Sequence, residues 1–262
     1  MPVDITWWGH ATATVRDSGV AVLTDPLLTR RCAHLWRRRG AVPPPAVLGA
    51  DVVVVSHLHA DHLHLRSLAR LAPGTPLVLP RGAVRAVPGL RRLAARLPVY
   101  ELTPGEALPF GPVTIRAVPA AHDGRRLPVG PRRVSALGYV IEGASRTYYA
   151  GDTGLFDGMA RETGPVDTVL LPVGGWGPGL GHGHLNAERA ARALTRLRPA
   201  HAVPVHYGTY WPLGFAAVRP HEFHAPGDEF VRHAARLAPG VRVHQLGHGE
   251  RVRVPVGPAV RE

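Results

Sequence analysis

The chain has 262 residues, 45% of them hydrophobic, which suits one large α/β domain over residues 1–262 and excludes a disordered chain. Its formal charge is +12, carried by 31 arginines with no lysine, so anionic partners (phosphate esters, nucleic acid or acidic membrane) suit it, although an arginine-rich coding bias gives the same balance. With one cysteine, Cys32, no intrachain disulfide forms; without a basic-apolar leader or an apolar run of ~18 residues, a cytoplasmic protein with no transmembrane segment is expected.

In chain order, Val3 to Trp8, Thr12 to Arg16 and Val20 to Thr24 read as an antiparallel meander, separated by Gly9 and by Asp17-Ser18-Gly19. Asp25 to Ala50, with Arg30, Arg31, Arg37 to Arg39 and then Pro43-Pro44-Pro45, reads as a partly ordered flap. Asp51 to Ser56 holds four consecutive valines and reads as a strand buried on both faces. A helix is expected over His62 to Leu71, then strand–helix alternations near Leu77 to Leu79 and Val84 to Leu97. Further strands follow at Ala107 to Phe110, Val113 to Val118, Ala136 to Ile141, Thr147 to Ala150, Thr168 to Pro172 and Ala202 to Val205. Between and after them, helices are expected at Leu155 to Glu162, Asn186 to Leu197 and Glu229 to Leu237. Asn186 suits an N-cap, and Ala187, Ala190, Ala191, Leu194 and Leu197 make one apolar stripe. The pattern suggests two sheets packed face to face with helices outside.

The run His57-Leu58-His59-Ala60-Asp61-His62 starts where the valine strand ends. In an extended chain His57 and His59 project to one side, and the following turn brings Asp61 and His62 toward the same point. Imidazole and carboxylate together suit Zn²⁺. The alternative is a His-rich surface segment. His122, Asp152 and His206 each follow a predicted strand, where the loops of a layered fold gather.

The chain resembles the metallo-β-lactamase-fold hydrolases. Within them it is similar to the branch containing L-ascorbate-6-phosphate lactonase and the N-acyl-phosphatidylethanolamine-hydrolysing phospholipase D. The resemblance rests on Ile5-Thr6-Trp7-Trp8-Gly9-His10-Ala11-Thr12, Leu23-Thr24-Asp25-Pro26, the His run, and Pro204-Val205-His206-Tyr207-Gly208-Thr209-Tyr210. It implies a four-layer αββα sandwich and two divalent metal ions. His57, His59 and His122 would hold one, Asp61, His62 and His206 the other, and Asp152 would bridge them. His59 stands where flavodiiron oxygen reductases carry Glu, which favours Zn²⁺ over iron, with Mn²⁺ or iron as the alternatives. Water activated between two metals would then attack a phosphodiester, a phospholipid-like ester or a lactone, with Asp61 orienting it and no Ser or Cys nucleophile needed.

The same resemblance puts His184 against the metals as a substrate or proton-transfer residue, the alternative being an exposed loop histidine. His10 is expected near the site as an orienting hydrogen-bond partner, and Asp25 as the partner of a ligating histidine. Trp176, Tyr207, Tyr210, Trp211 and Phe215 would form either an apolar wall or ordinary core packing. Arg125 and Arg126, close after His122, are expected to hold an anionic group of a small substrate beside the metals, with Arg132 and Arg133 in the same loop; sheer arginine abundance is the competing explanation. The other functional class is a nucleic-acid-binding protein or nuclease that uses the basic surface. No nucleic-acid module is recognisable, and the arginines are spread along the chain.

Overall fold

A computed structural model describes residues 2–126, 134–181 and 183–255. Two seven-stranded sheets dominate it. In spatial order the first runs Arg251–Val254, Val3–Gly9, Thr12–Asp17, Val20–Thr24, Val52–Val54, Leu77–Pro80, Val99–Leu102. The second runs Arg242–Val243, His201–Val205, Thr168–Pro172, Arg146–Tyr149, Ser135–Glu142, Val113–Asp123, Ala107–Phe110. Each is half antiparallel meander and half parallel. In the first, Val20–Thr24, Val52–Val54, Leu77–Pro80 and Val99–Leu102 run parallel. In the second, Arg146–Tyr149, Thr168–Pro172, His201–Val205 and Arg242–Val243 do.

Side-chain periodicity explains the layering. Along Val3–Gly9 burial alternates, and Val3, Ile5 and Trp7 point into a core shared with Ile115, Tyr139 and Tyr149 of the second sheet. The valine run faces both ways: Val52 and Val54 join that central core, while Val53 and Val55 pack with Leu68, Leu90 and Leu93 of the helices outside. On the other flank, Ala187–Leu197 buries Ala187, Ala190, Ala191, Leu194 and Leu197, and it packs beside Pro226–Leu237. Asn186 Oδ1 caps it by accepting the Arg189 amide. Helices therefore cover both sheets of an αββα sandwich. Among the described residues no helix is long and apolar enough to cross a membrane.

Three local expectations change. The segment after the His run is helical only over Leu65–Leu68, because His62 to His64 turn tightly and His64 Nδ1 caps the short helix by accepting the Ser67 amide. Val84 to Leu97 is split into Ala83–Ala86 and Gly89–Ala94 at Pro88, which cannot continue a helix. The expected flap is ordered: Arg31–Cys32 and Leu35–Arg37 form a hairpin, and Leu35–Arg37 pairs with Tyr210–Pro212 in a third small sheet. That hairpin stands over the ends of the parallel strands, where the site lies.

Candidate metal centre

The parallel strands of both sheets point their C-terminal ends to one edge of the sandwich. Asp25 follows Val20–Thr24, His57 follows Val52–Val54, Asp152 follows Arg146–Tyr149, and His206 follows His201–Val205. Three of the residues gathered at this edge, His10, Asp25 and His206, have positive φ angles of 53°, 33° and 63°. None is glycine, so each is strained by roughly 1–3 kcal/mol and persists because its surroundings fix it. The His206 amide donates to the His10 carbonyl at 2.8 Å, and the His10 amide donates to Thr209 Oγ1 at 2.8 Å.

Two donor clusters result. His57 Nε2 and His122 Nε2 approach His59 Nδ1 at 2.9 and 3.3 Å. His62 Nε2 and His206 Nε2 lie 3.1 Å apart, with Asp61 Oδ2 at 3.5 and 3.7 Å from them. The Asp152 carboxylate adjoins both clusters. Its oxygens lie 3.3 Å from His62 Nε2 and 3.3 Å from His206 Nε2, and it also groups with His122 and His184 within 4.8 Å.

The rings are held from behind. His122 Nδ1 donates to the Gly183 carbonyl at 2.9 Å and His206 Nδ1 to the Gly174 carbonyl at 3.1 Å. A carbonyl only accepts, so both rings carry the proton on Nδ1 and turn the Nε2 lone pair inward. His62 Nδ1 sits 2.6 Å from Asp25 Oδ2, which also accepts from Ser56 Oγ and Tyr149 Oη, both at 2.5 Å. The His run itself is pinned by Arg126, whose Nη1 donates to the carbonyls of Leu58 and Leu63 at 3.0 and 2.8 Å.

Electrostatics fit a cation. Burial holds His57 well below the ordinary imidazole pKa, His59 below it, and His122 down to about 4, so these rings are neutral donors. Burial would lower His62 as well, but Asp152, Asp61 and Asp25 outweigh it and push His62 well up. Burial would raise Asp61 and Asp152, yet the surrounding histidines, His62 among them, hold both carboxyls well down. Asp25, Asp61 and Asp152 are all buried, and among the described residues no arginine pairs with any of them. A proton on His62 thus supplies positive charge that a divalent ion would supply better. Asp152 Oδ1, buried and without a hydrogen-bond partner among the described residues, is an acceptor of the kind that metal coordination satisfies.

In front of the donors lies a cavity of about 540 Å³. His59, Asp61, Asp152, His184 and His206 line one side, and Cys32, Leu35, Trp176 and Leu180 stand among the other walls. His184 Nε2 is 3.4 Å from Asp152 Oδ2. His10 Nε2 meets Asp61 Oδ2 at 2.8 Å, so His10 orients a carboxylate rather than facing the cavity.

The arginine expectation is narrowed. Arg125 is turned away to Asp123, its Nε 2.9 Å from both carboxylate oxygens, and it does not line the cavity; Arg126 does. Arg132, Arg133 and His182 lie outside the described residues. Of the aromatic group only Trp176 lines the cavity. Tyr207 stacks on Trp7 at 5.1 Å, Trp211 packs against Phe223, Tyr210 is buried with its hydroxyl on the Leu27 carbonyl, and Phe215 is exposed. Sequence reasoning missed Ser56 and Tyr149 behind Asp25, and the Gly-rich wall from Gly175 to Gly181. Cys32 also lines the cavity, but burial pushes its thiol up to about 12, which leaves it a poor nucleophile.

Comparison with known proteins agrees with this geometry. The β-lactamase superfamily domain matches residues 21–207. A metal-dependent hydrolase from Carboxydothermus hydrogenoformans is 30% identical over 95% of this chain and 98% of its own. The N-acyl-phosphatidylethanolamine-hydrolyzing phospholipase D 1 of Caenorhabditis elegans is 30% identical over 80% of this chain and 64% of its own. Among solved structures, a metallo hydrolase from the hyperthermophilic archaeon Ignicoccus hospitalis superposes with a TM-score of 0.73 at 24% identity, covering 97% of this chain and 99% of that one. With the histidine and aspartate cluster at the sandwich edge and these relatives spanning nearly the whole chain, the protein belongs to the β-lactamase superfamily as one of its metal-dependent hydrolases.

Proposed function

We propose that the chain hydrolyses a small ester-type substrate, a phosphodiester, phospholipid-like ester or lactone, using two divalent ions for which Zn²⁺ is the best-matched metal. His57, His59 and His122 would hold one ion, Asp61, His62 and His206 the other, with Asp152 between them. The observation that carries this reading is the pair of inward-facing donor clusters flanking Asp152, one of whose oxygens is buried without a hydrogen-bond donor among the described residues. Such ions supply Lewis acidity, activating a water near neutral pH and neutralising charge that develops on the substrate.

The chain's own residues do the remainder. Asp61, fixed by His10, orients the attacking water. His184, beside Asp152 and at the cavity surface, hydrogen-bonds the leaving oxygen. Leu35, Trp176 and Leu180 take an apolar part of the substrate and exclude water. The likeness to an N-acyl-phosphatidylethanolamine-hydrolysing phospholipase D supports the phosphodiester among the three bond types. The cavity volume suits a small molecule.

The test is metal analysis of zinc-reconstituted protein, followed by chromogenic phosphodiester, lactone and carboxylic-ester substrates. Close to two ions per chain and turnover that Asp152→Ala abolishes are expected. Fewer than one ion per chain, or an Asp152→Ala variant with full activity, overturns the proposal.

A further inference from the structure

Behind the Cys32–Ala60 wall of the catalytic cavity lies a second cleft of about 570 Å³. The two share Cys32, Ala33, Ala60 and Arg126 as lining, and Cys32 Sγ donates to the Ala60 carbonyl at 3.3 Å. The second cleft is basic. Arg31 from the small hairpin, Arg66 from the short helix Leu65–Leu68, and Arg126 from the loop after Val113–Asp123 converge on it, with His64 among the lining. Its lining contains no aspartate or glutamate, and among the described residues none of the three arginines is in an ion pair.

Three guanidinium groups from distant segments, brought together with no carboxylate in the lining, repel one another, and an anion in the cleft would offset that repulsion. Arg126 is preorganised, because its bonds to the Leu58 and Leu63 carbonyls fix the guanidinium plane. Arg31, on the hairpin strand Arg31–Cys32, and Arg66, on the short helix Leu65–Leu68, are both exposed and reach the cleft from separate segments. Planar guanidinium forks match the oxygens of phosphate better than any other common biological anion except carboxylate.

We propose that this cleft is an oxyanion site for a phosphate group, carried by the substrate whose scissile bond occupies the neighbouring cavity. The substrate assignment rests on the hydrolase reading above; the anion site rests on the arginines alone. The substrate is then a small phosphorylated molecule with two separate features: a bond presented to the metal centre, and a phosphate held about one lining residue away, behind Cys32 and Ala60. Arg126, touching both cavities and the backbone of the His run, connects occupancy of the cleft to the position of the metal-binding loop.

Isothermal titration of zinc-loaded protein with inorganic phosphate tests the site. Three proteins are compared: wild type, Arg31→Gln/Arg66→Gln, and Arg232→Gln/Arg236→Gln, the last removing the same charge from the exposed side of helix Pro226–Leu237. The cleft variant should weaken phosphate binding about tenfold or more. The distant variant should stay within about twofold, with equal zinc content in all three. Equal affinity in all three proteins would mean phosphate sits only on the metals, and equal weakening in both variants would mean bulk charge only; either overturns the site. Against a chromogenic phosphodiester, phosphate should inhibit wild type competitively and the cleft variant far less. Non-competitive inhibition overturns the assignment of the cleft to the substrate. If no chromogenic substrate is turned over while the affinity difference holds, the hydrolytic reading fails and the anion site stands.

Discussion

Asp25→Asn isolates the group behind one proposed metal ligand. The exchange keeps the volume and removes the charge. The buried carboxylate takes four hydrogen bonds: the Ser56 amide on Oδ1 at 2.7 Å, and Ser56 Oγ, Tyr149 Oη and His62 Nδ1 on Oδ2. An amide satisfies them in neither orientation. If its NH₂ replaces Oδ1, two donors face each other at the Ser56 amide. If it replaces Oδ2, Ser56 Oγ can turn to His57 Nδ1 and Tyr149 Oη to the Ala11 carbonyl, 3.0 and 3.2 Å away. His62 Nδ1 is left facing the amide NH₂, its one other near partner being Ser56 Oγ at 3.5 Å, the hydroxyl already turned to His57. To accept from the amide, His62 must give up its Nδ1 proton and keep the one on Nε2, the atom facing His206, so either Nδ1–H stays unsatisfied or the ring loses the charge that the carboxylates favour. One unsatisfied buried donor costs about 1–3 kcal/mol. For a chain of this size that lowers Tm by roughly 2–12 °C. Zinc affinity should fall about 10- to 100-fold, the usual consequence of disturbing the partner of a ligating histidine. Differential scanning calorimetry of the metal-free protein reads the first effect, and competition with a chromophoric chelator the second. A variant that keeps wild-type Tm and binds zinc within twofold of wild type refutes the reasoning.

Metal removal should destabilise the fold: an ion present at a thousand times its Kd contributes about 4 kcal/mol, so EDTA treatment should lower Tm by roughly 8–16 °C per ion, and an unchanged Tm would mean the folded chain holds none. Gly151→Ala places a Cβ 2.5 Å from Ser56 Cβ at a φ of 59°, and strain plus overpacking should cost about 2–5 kcal/mol in urea unfolding. His248 is held down to about 4 by burial first and then by Arg37 and Arg39. The unfolded chain therefore binds more protons there, and stability is full above pH 6.5 and lost as pH falls toward 4. His248→Gln should flatten part of that acid slope in Tm measured from pH 7 to 4, and an unchanged slope would mean His248 does not titrate in this way.

The centre was legible because its residue types are rare in combination and sit where buried strands end. Four valines announced a strand buried on both faces, so the histidines after it had to emerge at an edge. His122, Asp152 and His206 followed by the same logic from the second sheet. What stayed hidden depends on contacts between distant segments. The hairpin of Arg31–Cys32 and Leu35–Arg37 finds its partner at Tyr210–Pro212, more than 170 residues away, and locally reads only as arginine and proline. The wall from Gly175 to Gly181 has no periodicity to read. Proximity in sequence also misled: Arg125 and Arg126 are neighbours, yet one folds onto Asp123 and the other onto the backbone of the His run. The leucine spacing after His62 fits a helix, but Leu63, Leu68 and Leu71 are buried equally well from a tight turn and one short helix.

The placement of the donors explains why the edge of the sandwich tolerates so much strain and buried charge. In the proposed arrangement each ion takes ligands from both sheets. His57 and His59 come from the first and His122 from the second; Asp61 and His62 come from the first and His206 from the second. The broad apolar core joins the sheets through Val52, Val54, Ile115 and Tyr149, but it stops where the parallel strands end. Beyond that point the sheets meet through polar groups: the His206 amide with the His10 carbonyl, and Tyr149 Oη with Asp25. Left-handed backbone at His10, Asp25 and His206 turns the chain sharply enough to aim side chains across that gap. Ligand binding there is also cross-linking of the two sheets. Metal affinity and folding stability are then one quantity measured two ways, and a substitution that loosens the edge weakens both.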